Sequence, residues 1–397
     1  MFSSFFPEPR VLWLAATSWA VAALLVWNLI AYGWGDATGL GRLWPYLYVF
    51  LVHAAFVVFW LRYQPHKWAR WSVGGGGVII FATWFQVQLD VMINDWVGVF
   101  YNSIQKALAE PGSVSASGYF DLLSRFFIIA GVYIITAMLT NFFTRHYVFR
   151  WRTAINDRYV ALWPQVRGIE GASQRVQEDA MRFALILESL GSRFIDAVMT
   201  LVAFLPILLG LSVHVKEVSL VGEVAHALFW VALGWSAFGT GLLLLAGIRL
   251  PGLEFRNQRV EAAFRKELVL GEDDEDRGQP PALTEVFENV RRNYYRLYLN
   301  YAYFDVVRYS YLQAGVLVPF VVLGPSILSA GFTWGVLQQI LRAFRRVQES
   351  FQFLVHSWTT IIELMSIYKR LAAFERAITG DRQAAIEFET APRTPTG

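Results

Sequence analysis

The chain has no cysteine among its 397 residues. Disulfide scaffolds, iron–sulfur clusters and thiolate–zinc sites are therefore excluded. Charge is also scarce: 34 basic and 31 acidic residues make up 16% of the chain, against roughly 25% in an average soluble protein. There is no Gly-x-x-x-x-Gly-Lys-Ser/Thr phosphate loop and no Gly-x-Gly-x-x-Gly before a helix, so nucleotide binding by either device is not expected. No repeat of 20–50 residues appears. The six histidines at 53, 66, 146, 214, 226 and 356 are scattered, without metal-ligand spacing. In place of these, the chain is 55% hydrophobic and 16% aromatic, and its mean hydropathy is positive. Disorder needs the opposite composition. The remaining class is an all-α integral membrane protein.

Runs without Asp, Glu, Lys or Arg cover 11–35, 43–61, 71–89, 126–144, 197–215, 224–248 and 309–341. A spanning helix needs about 20 mostly apolar residues. The last run, as one helix, would reach roughly 50 Å. It contains Pro319, Gly324, Pro325 and Gly331, which predict a turn near 324–331 and two spans. Eight transmembrane helices follow, at about 11–32, 44–62, 76–99, 120–143, 194–214, 224–249, 302–323 and 332–354. They form one transmembrane domain over 1–380, and 381–397 reads as a disordered tail. Gly74–Gly77 opens the third span, as a site of close helix packing or, alternatively, a phosphate cradle.

The positive-inside rule orients the chain. With a cytoplasmic N-terminus, the inside loops carry Arg62, Lys67 and Arg70, then Arg145, Arg150, Arg152, Arg158, Arg167, Arg175, Arg182 and Arg193. The outer loops carry Arg42, Lys106 and Lys216. Both termini are therefore expected in the cytoplasm. The 25-residue apolar run after the start is longer than a signal-peptide core of about 7–15 residues, so the first helix is read as uncleaved. The inside loops 145–193 and 251–300 are long and helical in composition, interrupted by an acidic turn from Gly271 to Asp276 and a Gly278/Pro280/Pro281 break. A second helix is expected at about 283–300. The final helix is expected to run on from 332 to 375.

Ionisable groups within spans are costly and suggest function. Asp90 lies inside the third span. Arg342, Arg345, Arg346 and Glu349 share one face of the last span. Lipid does not tolerate such a face, so it should line a water-filled cavity or a subunit interface; the alternative is internal pairing of Arg345 or Arg346 with Glu349. Glu254 and Glu261, seven residues apart, share a face. Glu178 and Glu188 lie about 15 Å apart along a helix. These acids could relay protons, or could form ordinary pairs such as Glu178 with Arg182. Trp44, Tyr46, Tyr48, Trp60, Tyr63, Trp68 and Trp71 read as interfacial belts, and the aromatic cluster from Tyr294 to Phe304 as an inside membrane boundary. The net charge of +3 sits in loops facing anionic lipid, and nucleic acid is not an expected partner.

The cytoplasmic loops carry longer signatures. They include His146-Tyr147-Val148-Phe149-Arg150-Trp151-Arg152-Thr153-Ala154, Ile169-Glu170-Gly171-Ala172 through Arg175-Val176-Gln177-Glu178-Asp179, and Pro251-Gly252-Leu253-Glu254-Phe255 through Asn257-Gln258-Arg259-Val260-Glu261-Ala262-Ala263. Gly271-Glu272-Asp273-Asp274 and Ser357-Trp358-Thr359-Thr360 through Glu363 to Leu371 complete the set. In these the chain resembles the SbmA/BacA family of bacterial inner-membrane peptide transporters. The resemblance implies a homodimer whose core is like the transmembrane half of an ABC exporter, without a nucleotide-binding domain or other cofactor. It implies proton-driven import of proline-rich antimicrobial peptides, microcins and bleomycin-like glycopeptides. It places the proton-coupling glutamates at Glu178, Glu188, Glu261 and Glu272, with Glu254 and Glu363 also matching. One position departs: Gln88 stands where the family commonly has a glutamate. Gln cannot titrate, and Asp90, two residues on, lies about 200° round the helix. The rival expectations are an ABC-type membrane half with a separate ATPase, and an envelope lipid-handling protein.

Overall fold

Helix accounts for nearly all of the described residues. The computed structural model describes residues 2–30, 44–167, 172–215, 224–273, 279–329 and 331–378. The helices are α1 (Pro9–Ile30), α2 (Trp44–Tyr63), α3 (Gly76–Ala109), α4 (Ala116–Ala161), α5 (Trp163–Val166), α6 (Ala172–Gln174), α7 (Ala180–Leu211), α8 (Ala227–Gly247), α9 (Leu250–Asp273), α10 (Pro280–Leu328), α11 (Trp334–His356) and α12 (Trp358–Ile378). No strand occurs among the described residues. Single π-helical turns, Arg70–Gly75 and Arg175–Asp179, lead into α3 and α7.

Among the described residues seven helical stretches are long and apolar enough to cross a membrane. The expected eighth, α11, has the length but carries Arg342, Arg345, Arg346 and Glu349 and is not among the seven. Hydroxyl side chains within the spans fold back on the preceding turn. Thr83, Thr140 and Ser212 donate to the carbonyls of Ile79, Thr136 and Leu208 at 2.7–2.9 Å, which leaves no hydroxyl donor open to lipid there. With 46 residues, α4 extends about 69 Å, more than twice a hydrocarbon core of about 30 Å.

Several boundaries differ from the sequence reading. The break within 309–341 follows Leu328, inside the expected 324–331, but α10 runs on past the expected span end at 323, through Pro325. It closes where the Gly331 N–H donates to the Ser326 carbonyl at 2.8 Å. The helix expected at 283–300 begins at Pro280 and runs on into the span, with prolines in its first turn, where their missing N–H costs nothing. Gly271, Glu272 and Asp273 are the last turn of α9 rather than a turn region; residues 274–278 lie outside the described residues. The final helix is interrupted at Ser357 and becomes α11 and α12. The tail 381–397 also lies outside the described residues.

The chain divides into two compact units. The first comprises Met1–Ile93, Leu123–Met199 and Glu363–Gly397; the second comprises Asn94–Leu122 and Thr200–Ile362. The core of the first unit gathers around Trp151. Phe5 stacks on it with ring centroids 5.5 Å apart, Phe6 meets it edge-on at 4.9 Å, and Phe183 packs at 5.8 Å. The glycine run Gly74–Gly77 serves packing in this unit. A Cβ on Gly75 would lie 3.0 Å from the Tyr147 ring, and one on Gly77 would lie 2.6 Å from Val57. In the second unit α10 packs against α8 and α9, and α11 against α8. Tyr311 stacks on Trp235 at 5.1 Å and fills the space beside Gly239.

Candidate functional site

The second unit holds a polar cavity where apolar packing would be expected. It has a volume of about 310 Å³ between α10 and α11. Its polar wall is a stripe on α11: Arg345, Gln348, Glu349 and Gln352. These positions follow the i, i+3, i+4, i+7 pattern and so fall on one face. The opposite wall is Leu312, Gln313, Gly315, Val316, Pro319 and Phe320 of α10. Gly315 has a specific role there. A Cβ at this position would come 2.8 Å from Gln348 Nε2 and 3.2 Å from Trp235 Nε1.

Side chains from α3 fix the start of α11. The Trp334 N–H donates to Gln105 Oε1 at 2.9 Å, and the Gly335 N–H to Asn102 Oδ1 at 2.8 Å. Two otherwise orphaned donors of the helix terminus are thereby satisfied. Gly98 and Gly335 allow the close approach, since a Cβ on either would strike the opposite helix.

Polar capacity in this unit is left unused. Gln352 is 3% exposed and Gln348 9%; both amides approach the Tyr311 hydroxyl, but Gln352 Nε2 has no hydrogen-bond partner within 3.5 Å. Trp235 Nε1 also lacks an acceptor. Asn94 is fully buried with neither amide atom bonded. Each such group costs on the order of 1–3 kcal/mol, so their accumulation marks a region not optimised for stability. Arg345 makes no ion pair among the described residues, while Arg346 lies 3.7 Å from Glu349.

The first unit carries a contrasting charge cluster. Asp179, 2% exposed, accepts two hydrogen bonds from Arg370, at 2.8 and 3.1 Å, and one from Arg175 at 3.3 Å. The Asp179 hydrogen bond holds the Arg370 guanidinium above its ordinary pKa, despite an opposing contribution from burial. Beside it Glu178 pairs with Arg182 at 2.9 Å, and Arg182 reaches Glu363 at 3.8 Å. Glu188 lies 3.6 Å from Arg145. Asp90 is in this unit too, 5% exposed, and Gln88 is half-buried.

The structure therefore groups Glu178 with Glu363 through Arg182, and places Arg345 and Glu349 in the cavity wall. Arg342 and Arg346 are half-buried on α11 but do not line that cavity. Glu254, Glu261 and Glu272 lie along α9. Glu254 is half-buried with Oε2 unbonded, Glu261 is half-buried and Glu272 is exposed. Sequence reading had not singled out Asp179, Arg370, Gln348, Gln352 or Asn94 as functional residues. The two glutamines were accessible to it, because they extend the stripe begun by Arg345 and Glu349. Among the described residues no three His, Asp or Glu side chains group as a metal site would require.

These features define an all-helical, multi-pass membrane protein with polar groups set into its apolar framework. The profile of the SbmA/BacA-like family matches residues 65–379, and the chain belongs to that family. It is also distantly similar to proteins named as ABC transporters. An uncharacterized ABC transporter ATP-binding protein of Synechocystis is 24% identical over 220 residues, 53% of this chain and 31% of the relative. A second, from Haemophilus influenzae, is 20% identical over 295 residues, 70% of this chain and 49% of the relative. ABC transporter D family member 2, chloroplastic, of Arabidopsis thaliana is 22% identical over 215 residues, 52% of this chain and 29% of the relative. The chain thus spans 29–49% of the length of these relatives.

Proposed function

We infer that the chain is a proton-driven importer of peptides across the bacterial inner membrane, acting as a homodimer by alternating access. The observation that carries this reading is the polar stripe Arg345, Gln348, Glu349 and Gln352 facing a cavity among apolar helices. A hydrated cavity of this kind suits a large substrate of variable sequence. Membership of the SbmA/BacA-like family supports peptides as that substrate. In this scheme α11 is the eighth span of an ABC-exporter-like core, and both termini lie in the cytoplasm. Glu178, Glu188, Glu254, Glu261, Glu272, Glu363 and Asp90 are the candidate proton carriers, and Gln88, Arg342, Arg345, Arg346 and Glu349 line the substrate path. Protonation of the carboxylates in the outward state removes their charge and lets the helices close; release inside restores it.

The test is peptide uptake into sealed vesicles under an imposed pH gradient, with and without ATP. Uptake should follow the gradient and fail in Glu188→Gln or Glu261→Gln. A requirement for ATP would sink this reading in favour of a second one, an ABC-type membrane half with a separate ATPase. The names and lengths of the distant relatives favour that alternative, and co-purification of an ATPase subunit would support it.

A further inference from the structure

A second binding feature lies away from the polar cavity, along the α9–α10 hairpin of the second unit. Two cavities of about 570 and 340 Å³ share Arg256 and Arg296. The larger adds Arg259 and Arg292, and the smaller adds Arg249. Asn289, Asn293 and Asn300 complete the polar lining. The convergence has a simple origin. Positions 249, 252, 256, 259 and 263 fall on one face of the α9 segment, and 289, 292, 293, 296 and 300 on one face of α10. The Asn293 side chain holds the two faces together, donating to Asn257 Oδ1 at 3.1 Å and to the Leu253 carbonyl at 3.5 Å.

Compensation for this positive charge is sparse. Glu288 pairs with Arg291 at 2.8 Å and lies 3.5 Å from Arg292. Arg249, Arg256, Arg259 and Arg296 have no carboxylate within 4.0 Å among the described residues. Four arginines in one concave surface therefore present guanidinium donors with no carboxylate partner among the described residues, the arrangement that recognises phosphate.

The position in the chain selects among phosphate compounds. Arg249 follows the apolar helix α8 by two residues, so the surface starts where a span ends. At its membrane-side end Ile248, Gly252 and Leu253 lie beside Arg249, Arg256 and Arg296, and its far end carries Arg259 and Arg292. Tyr295, Tyr298 and Tyr303 of α10 are exposed at this level, as interfacial tyrosines are. Among the described residues no aromatic side chain lines either cavity, so none of them offers a face on which a nucleotide base could stack. We propose that this arginine-lined surface of α9 and α10 binds the phosphate headgroup of an anionic phospholipid at the membrane boundary.

Lipid binding by the purified full-length protein tests this, for example by native mass spectrometry in detergent. Phosphatidylglycerol should bind the wild type in preference to phosphatidylcholine. The double variant Arg256→Gln/Arg296→Gln should bind phosphatidylglycerol roughly 30-fold more weakly. Arg291→Gln removes a charge from the same helix but lines neither cavity, and should weaken binding less than about threefold. Equal binding of the two lipids by the wild type overturns the proposal, whether or not the double variant folds. So does an equal loss in the double variant and in Arg291→Gln. Binding of inorganic phosphate alone with the same dependence on Arg256 and Arg296 would identify a soluble anion and overturn the lipid assignment.

Discussion

Two polar regions of this membrane protein handle charge in opposite ways. In the first unit, Asp179 is buried but satisfied by Arg370 and Arg175, and Glu178, Arg182 and Glu363 form a chain of pairs. In the second, Gln352, Trp235 and Asn94 keep buried polar atoms unbonded, and Arg345 faces a cavity without a counter-ion among the described residues. Satisfied polar networks rigidify and specify one packing. Unsatisfied ones cost stability and are retained where a ligand or water can complete them. The Asp179–Arg370–Arg175 cluster is accordingly a structural clamp, and the unfilled polar capacity of the second region is what the proposed substrate path rests on.

The largest expected effect tests the clamp. Arg370→Ala leaves Asp179 buried and charged with its main partner gone. Loss of one member of a buried pair costs about 3–5 kcal/mol. Arg370 is 37% exposed on its side chain, so solvent screening reduces the figure to about 2–3 kcal/mol. Thermal unfolding in detergent should show a marked drop, and Asp179→Asn combined with Arg370→Gln should recover part of it by removing the stranded charge.

A smaller stability effect, with a larger functional one, is expected in the cavity. Arg345→Gln should change stability by less than about 0.5 kcal/mol, because no pair is broken. Peptide uptake in vesicles should nevertheless change several-fold. If Arg345→Gln destabilises the protein as much as Arg370→Ala, the contrast between the two regions is false. Gln352→Leu sharpens it further. Replacing an unbonded buried amide with an apolar group should be neutral or stabilise by up to about 1 kcal/mol, while uptake falls. A stability loss would show that the Gln352 amide is satisfied in the folded protein.

The same contrast explains what could be read from the sequence. Seven apolar stretches were visible as runs free of charge, because lipid forbids charge on a spanning surface. The stripe on α11 was visible through its charged members, and Gln348 and Gln352 extend it at the same spacing. The Asp179–Arg370 pair was not visible, since its partners are 191 positions apart and nothing local joins them. Pro319, Gly324, Pro325 and Gly331 placed the turn near 324–331, where it occurs after Leu328, but the helix end was set at 323, because proline ends helices in water and is tolerated where neighbouring helices satisfy the freed carbonyls. The interruption at Ser357 had no compositional sign. The backbone ladder nearly continues through it, with Ser357 N–H to the Phe353 carbonyl at 2.9 Å and Ile361 N–H to the Ser357 carbonyl at 2.8 Å.

The smallest expected effect lies at that interruption. His356 ends α11. Partial burial of a ring that stays in contact with solvent, and then the nearby Arg308 guanidinium, hold its pKa below the ordinary histidine value of 6.5, against a hydrogen bond to the Gln352 backbone that raises it. A histidine with a depressed folded-state pKa binds fewer protons folded than unfolded. Its neutral form therefore contributes stability above about pH 6.5, and this is lost as the pH falls below that value. The wild-type melting temperature should decline between about pH 7.5 and about 5.5, and His356→Gln should flatten that decline without changing the value at the higher pH. An unchanged slope would mean that Arg308 and burial do not act on His356, and that uncompensated positive charge in the second unit is confined to the arginines themselves.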